Sequence, residues 1–251
     1  MFDFSDRRIL VTGGARGIGS ATVLAFRARG ARVAVGARRA DSFDAFAALH
    51  GSQALYPVIG TLGDRAAAHA VVAGAVAQLG GLDVLVNSAG VFAEVAIADV
   101  TQAHWDETLD TNLGGTFFCS QAALPALKAS AGNIVNVASD AGLVGYPNGS
   151  AYCAAKGGVV NLTRAMAVEL AQSVRVNCVC PGNVETDMIA RAAAASGDPE
   201  HYLDKARSRA HTRRMATPQE VAAAILYLAS TEAASTTGAA LVVDGGGTAG
   251  F

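Results

Sequence analysis

Residues 8–19 read RILVTGGARGIG: an apolar, β-branched run enters a turn of glycines and leaves it as a stretch of helical period. Gly13, Gly17 and Gly19 permit a tight turn and a close approach of backbone to a diphosphate, with Arg16 and Ile18 set between them. The helix that follows offers unpaired N–H groups and a positive partial charge at its start. A glycine cluster by itself marks many strand ends. Placed between a strand and a helix, it predicts a dinucleotide-binding turn. The spacing is TGxxxGIG, not GxGxxG.

Outward from that junction, short apolar runs alternate with Ala-rich stretches of helical period. The runs are 7–11, 31–35, 54–59, 82–87, 133–138, 174–180 and 239–244. Continuous apolar strands separated by helices predict a parallel sheet covered on both faces. The expected fold is α/β: a Rossmann-type doubly wound parallel sheet of about seven strands with helices on both faces, as one domain over residues 1–251. The stretch from Thr101 to Leu127 reads as one helix, bent or interrupted near Gly114, Gly115 and Pro125. Thr217-Pro218-Gln219-Glu220 has the layout of a helix start, with a capping Thr, a proline at the first helical position and a reciprocal Glu. Residues 185–216 are polar, charged and irregular, and lie where a doubly wound sheet binds ligands. They read as a lid or as a solvated excursion.

Composition narrows the partners. A chain of 251 residues, 51% hydrophobic and with a net charge of -2, suits one large domain. It gives no electrostatic reason to expect nucleic acid or an anionic membrane. No apolar segment is long enough to span a bilayer, and MFDFSDRRIL lacks the basic-then-apolar order of a leader, so a cytoplasmic protein is expected. Cys119, Cys153, Cys178 and Cys180 form no C-x-x-C pair and read as reduced, buried thiols. His50, His69, His104, His201 and His211 show no metal-ligand spacing, and no metal is expected.

Residues 151–158, AYCAAKGG, set Tyr152 four residues ahead of Lys156, on one helix face. An ammonium beside a phenol favours the phenolate and lowers its pKa toward working pH. That suits a general acid/base for an alcohol or carbonyl. The motifs follow in order: TGGARGIG, NSAG (87–90), Asn112, Ser139, YCAAK (152–156), PGNVET (181–186) and VDGG (243–246). With them, nearly the whole sequence resembles the short-chain dehydrogenase/reductase family. The resemblance implies that Tyr152 is the acid/base and that Lys156 is its pKa partner and binds the nicotinamide ribose. It implies that Ser139 bonds the substrate oxygen and that Asn112 kinks its helix and holds a water. Asn87, Ala89 and Gly90 are then expected on the adenosine and ribose side, and Pro181, Gly182, Val184 and Thr186 on the nicotinamide. Thr61 stands where the family usually has an aspartate for the adenine amino group, with Leu62 against the ring. A homotetramer is implied too, through two long helices and the strand LVVDGGG. Gly250-Phe251 is left open between a place in a neighbouring subunit's site and disorder.

The second strand ends VAVGARR. Residues 36–39 hold no acid for a ribose 2′-hydroxyl, while Arg38 and Arg16 converge on the place of a 2′-phosphate, which favours NADP(H). NAD(H) stays open because Asp41 lies about twenty residues past the glycine turn. Phe92, Glu94, Leu143, Tyr146, Cys153, Met188 and Tyr202 are the candidates to frame the substrate beside Ser139 and Tyr152. Of these, Glu94 reads best as an outward charge. The apolar majority suits a small, neutral or partly hydrophobic alcohol or ketone. The run KARSRAHTRR (205–214) raises an anionic substrate such as a carrier-protein or CoA thioester. The expected function is NAD(P)-dependent interconversion of a secondary alcohol and a ketone. The alternatives are 3-oxoacyl-[acyl-carrier-protein] reduction and, further off, a non-catalytic dinucleotide sensor. The full Asn–Ser–Tyr–Lys set argues against the sensor.

Overall fold

The computed structural model describes residues 2–250, so Phe251 lies outside the described residues. All seven expected strands form: β1 (Arg8–Thr12), β2 (Arg32–Ala37), β3 (Leu55–Ile59), β4 (Val84–Asn87), β5 (Asn133–Val137), β6 (Arg175–Pro181) and β7 (Ala240–Val243). They make one sheet in the order β3-β2-β1-β4-β5-β6-β7, with every neighbouring pair parallel. The chain winds outward from β1 to β3, then returns to lay β4 on the other side of β1. That reversal opens a crevice at the carboxyl ends of β1 and β4, where Thr12 and Asn87 stand in register.

The helices are α1 (Gly17–Arg27), α2 (Ala40–His50), α3 (Arg65–Leu79), α4 (Gln102–Leu109), α5 (Gly115–Ala129), α6 (Ser150–Leu170), α7 (Asp187–Ala195), α8 (Pro199–Ser208) and α9 (Pro218–Ala229). Successive strand residues point to opposite faces, and here both faces are apolar. Ile9 and Val11 of β1 pack with Phe26 of α1, Phe43 of α2 and Ile225 of α9. Leu10, between them, packs on the other side with Val72 of α3, Leu127 of α5 and Met166 of α6. This two-sided burial explains why the strands read as continuous apolar runs. The expected start of α9 is present: the Thr217 hydroxyl accepts from the Glu220 amide at 3.2 Å, and the Glu220 carboxylate accepts from the Thr217 amide at 2.8 Å.

Two segments differ from the sequence reading. The stretch 101–127 is two helices joined by a π-helical turn at Asp110–Gly114, so the interruption expected near Gly114 and Gly115 is present and the one at Pro125 is not. Pro125 sits inside α5, which continues to Ala129. The cause of the break is Asn112, whose side chain bonds backbone from inside the helix. The segment 185–216 is not irregular but carries α7 and α8. Asp198 caps α8, accepting from the His201 amide at 3.1 Å ahead of Pro199. Its many charges conceal a helical pair with one face turned inward.

Candidate active site

The glycine turn of the crevice is built for close approach. Gly13 takes φ +64°, and a Cβ there would meet the Ala89 Cα at 2.8 Å. A Cβ at Gly19 would run into the Gly13 carbonyl. Behind the turn, the Thr12 hydroxyl accepts from the Ser88 amide at 3.0 Å and the Ala89 amide at 3.2 Å, tying the end of β1 to the end of β4. Thr12 was not among the residues singled out in the sequence, although a hydroxyl closing a strand just before glycines is a readable signal. The first turn of α1 carries no side-chain cap and no acid, so its leading amides are left for an anion. These features fit the diphosphate of a dinucleotide.

Around the turn, the expected cofactor residues fall into place unevenly. Arg16 and Arg38 are both exposed, and neither has an ion-pair partner among the described residues. Asp41, the acid that kept NAD(H) open, is paired with Arg39 at 2.9 Å. Thr61 is exposed and Leu62 half-buried; the Leu62 Cβ would lie 3.0 Å from a Cβ on Gly115, so Leu62 also packs on the start of α5. Gly17 faces Thr186, with only 3.3 Å between its missing Cβ and the Thr186 Cγ2, which brings the segment 181–186 against the turn. Pro181 ends β6 and the Gly182 amide bonds the Val243 carbonyl at 3.1 Å. Val184 is buried in the core and bridged to Ala216, so its side chain is structural. Asn87 differs in the same way. Its amide donates to Asn136 at 2.9 Å and Ser120 at 3.0 Å, and so links β4 to β5 and α5 instead of pointing into the crevice.

Ser139, Tyr152 and Lys156 gather at the carboxyl end of the same sheet. Ser139 follows β5, is buried, and receives the Ala141 amide at 3.2 Å. Tyr152 lies in the first turn of α6 with Phe92 edge-on, their rings 4.9 Å apart. One turn on, Lys156 is buried, its Nζ 5.7 Å from the centre of the Tyr152 ring and donating to the Val137 carbonyl at 2.8 Å. The expected lowering of the phenol is absent. Crowding by protein pushes Tyr152 up even though part of its surface stays open to solvent, and the Ser139 hydroxyl only partly offsets this. Burial also pulls the Lys156 ammonium down to about 8, so the charge meant to draw the phenol down is itself strained by desolvation. Asn112 supplies the scaffold. Its amide donates to the Val91 and Thr108 carbonyls at 3.0 and 2.9 Å, and its oxygen accepts from the Val91 amide at 3.2 Å. Gly90 lies against it, since a Cβ there would come within 2.6 Å of the Asn112 oxygen.

The substrate side has features the sequence did not reveal. Asp140, next to Ser139, is buried and accepts from the Ser139 hydroxyl at 2.9 Å and from the Tyr146 hydroxyl at 2.6 Å. Burial pushes the Asp140 carboxyl up. Arg209, just past α8, stacks on the Tyr146 ring with its Cζ 3.3 Å from the ring centre. Met188 is half-buried on α7. Glu94 is exposed, as its reading as an outward charge expects, and also accepts from the Tyr202 hydroxyl at 3.0 Å, which joins the loop after β4 to α8. Cys153 is half-buried rather than buried, while Cys119, Cys178 and Cys180 are buried, and all four are free thiols.

A crevice shaped for a dinucleotide, with a Ser–Tyr–Lys group beside it whose Ser139 and Lys156 are buried and whose Tyr152 stays partly open, defines an oxidoreductase that uses a nicotinamide cofactor. Comparison with known proteins agrees. A family model described as enoyl-(acyl carrier protein) reductase matches residues 13–248. The chain is 37% identical over 247 residues to meso-2,3-butanediol dehydrogenase of Serratia marcescens, covering 98% of this chain and 96% of that one. It is 40% identical over 251 residues to cis-4-hydroxycyclohexanecarboxylate dehydrogenase of Sinomonas cyclohexanicum, with 98% of each covered. A solved structure assigned to a short-chain alcohol dehydrogenase of Sinorhizobium meliloti 1021 superposes with a TM-score of 0.92 at 36% identity, covering 100% of this chain and 99% of that one. The chain belongs to the short-chain dehydrogenase/reductase family.

Proposed function

We propose that the protein interconverts a secondary alcohol and a ketone with NADP(H), and that Tyr152 carries the proton. The observation that supports this best is the grouping of Ser139, Tyr152 and Lys156 beside the glycine turn. The dinucleotide, when bound, supplies or accepts the hydride. Reduction builds negative charge on the carbonyl oxygen; the Tyr152 hydroxyl is the donor that meets it, joined by the Ser139 hydroxyl once its one proton turns from Asp140 to the substrate. Tyr152 gives its proton in that direction and removes one from the alcohol in the other. Lys156 spends one of its three donors on the Val137 carbonyl and keeps two for the ribose hydroxyls and the phenolate. Its ammonium, poorly solvated where it lies, gains a partner when the phenolate forms.

The unpaired Arg16 and Arg38, together with the pairing of Asp41 to Arg39, favour a 2′-phosphate over a free 2′-hydroxyl. The α7–α8 pair acts as the lid of the expected segment 185–216, fastened by Tyr202 to Glu94. The whole chain is read as one catalytic domain of a cytoplasmic homotetramer. The names of the two relatives fit a substrate whose hydroxyl lies on a ring or short chain. Exposed Lys205 on α8 keeps the 3-oxoacyl carrier thioester as the second reading.

The test is to follow NADPH and NADH oxidation in parallel against ketones, diketones and an acetoacetyl thioester. Turnover of a ketone at least tenfold faster with NADPH supports the proposal. A preference for NADH refutes the reading of Arg16 and Arg38, and turnover of the thioester alone selects the second reading.

A further inference from the structure

Arg209 stands out among the cations of the molecule. It is half-buried, lies flat on the Tyr146 ring, and has no carboxylate within ion-pair distance among the described residues. Its neighbour Arg214 is held by Glu220 at 2.6 Å, and Arg207 by Asp204. Arg209 opens onto a cleft of about 130 Å³ that also touches Asp140, Tyr146, Gly182 and Asn183. The cleft therefore begins at Asp140, which holds the Ser139 hydroxyl, and ends at a guanidinium with free donors.

The carboxylates of the cleft form no ion pair with this guanidinium among the described residues, although Asp140 is near enough to feel its charge. Asp244 is spent on its own tail, accepting from the Gly246 amide at 2.9 Å and from the amide and hydroxyl of Thr248, both at 2.7 Å. Asp140 is spent on Ser139, Ala141 and Tyr146, and burial pushes it toward its neutral form. Tyr146 is held at both ends, by Asp140 at its hydroxyl and by Arg209 on its face. The guanidinium is thus pre-positioned, and a planar fork of donors on a rigid platform suits a planar anion.

Building on the proposed alcohol/ketone reaction, we propose that Arg209 is a specificity-determining residue that receives a carboxylate, so that the substrate is a hydroxy acid or oxo acid. The hydroxyl to be oxidised sits at Ser139 and Tyr152, and the carboxylate lies in the adjoining cleft, past Asp140, on Arg209. Asp140 and Tyr146 are positioning residues that fix the distance between the two ends. The lid then takes part in recognition, because Arg209 directly follows α8.

The experiment compares 4-hydroxycyclohexanecarboxylate and 3-hydroxybutyrate with their methyl esters, in the native protein and in R209M and R209K. The native protein is expected to favour at least one acid over its ester by about tenfold or more in kcat/KM, about 1.4 kcal/mol. R209M is expected to bring that ratio to within about threefold of unity through KM, with partial rescue in R209K. A native preference for the esters, or a ratio that R209M leaves alone, overturns the inference. Thermal unfolding with cyclohexanecarboxylate and with cyclohexanecarboxamide supplies a readout that needs no turnover. Stabilisation by the acid alone, lost in R209M, keeps the anion site even if no alcohol is oxidised, in which case only the proposed reaction fails. If neither compound stabilises the native protein, the anion site itself is refuted.

Discussion

At the scale of single residues, the site works against solvation. Tyr152 is pushed up and Lys156 down, so each group disfavours its charged form until the other charges. Tyr152→Phe removes the proposed proton carrier and is expected to lower kcat by about 10² to 10⁴, read in a single-turnover assay at saturating cofactor. Near-native turnover in that variant would remove Tyr152 from the mechanism. Lys156 also links stability to pH. Its ammonium is lowered from 10.5 to about 8, so between those values the unfolded chain keeps a proton that the folded chain sheds. Stability from this group therefore rises with pH through that window and is lacking below it. Lys156→Met is expected to raise the Tm at pH 7, to raise it less at pH 10, and to abolish turnover. An unchanged or lower Tm at pH 7 would show that the bond to Val137 outweighs the burial of charge. Tyr152 and Lys156 were legible because their spacing is local. Asp140 was not, because its importance comes from Tyr146 and Arg209, which only the fold brings to it.

At the scale of elements, the strands and the glycine turn were plain in the sequence, since burial on both faces leaves few polar residues, such as Asn136 and Asn177, to blur the runs. The helices around the site were harder. The interruption near Gly114 was legible from the paired glycines and Asn112, but its π-helical form was not, and Pro125 proved compatible with an unbroken α5. The pair α7–α8 was hidden by its charges. The capped start of α9, by contrast, was fully readable. Thr217→Ala should cost about 1 kcal/mol in chemical denaturation, from the loss of the hydroxyl that accepts the Glu220 amide, while the Glu220 bond to the backbone amide of residue 217 stays. A loss below about 0.3 kcal/mol would mean that the Arg214–Glu220 pair holds the helix start without the cap. Gly19→Ala tests the turn itself. The added methyl meets the Gly13 carbonyl, the turn must open, and dinucleotide binding by fluorescence titration should weaken at least tenfold with little change in the far-ultraviolet spectrum.

At the scale of the whole molecule, the homotetramer that family resemblance implies makes a prediction about which surface would meet another copy of the chain. Most of the large apolar side chains are in the two cores, so those outside them are informative. Val168 on α6 is 83% exposed, and Phe117 on α5 is 40% exposed. These lie on the two long helices through which family resemblance expects assembly. A Val or Phe that passes from water into an interface contributes roughly 1.5 to 3 kcal/mol, so a symmetric contact that uses each residue more than once feels a single change strongly. A charge at Val168 is left buried and unpaired if the face is an interface, and merely solvated if it is not. Val168→Glu is therefore expected to lower the mass measured by sedimentation equilibrium by a factor of two or more, while the circular dichroism of the fold persists. An unchanged mass assigns assembly to another surface, and a monomeric native protein removes assembly from the account.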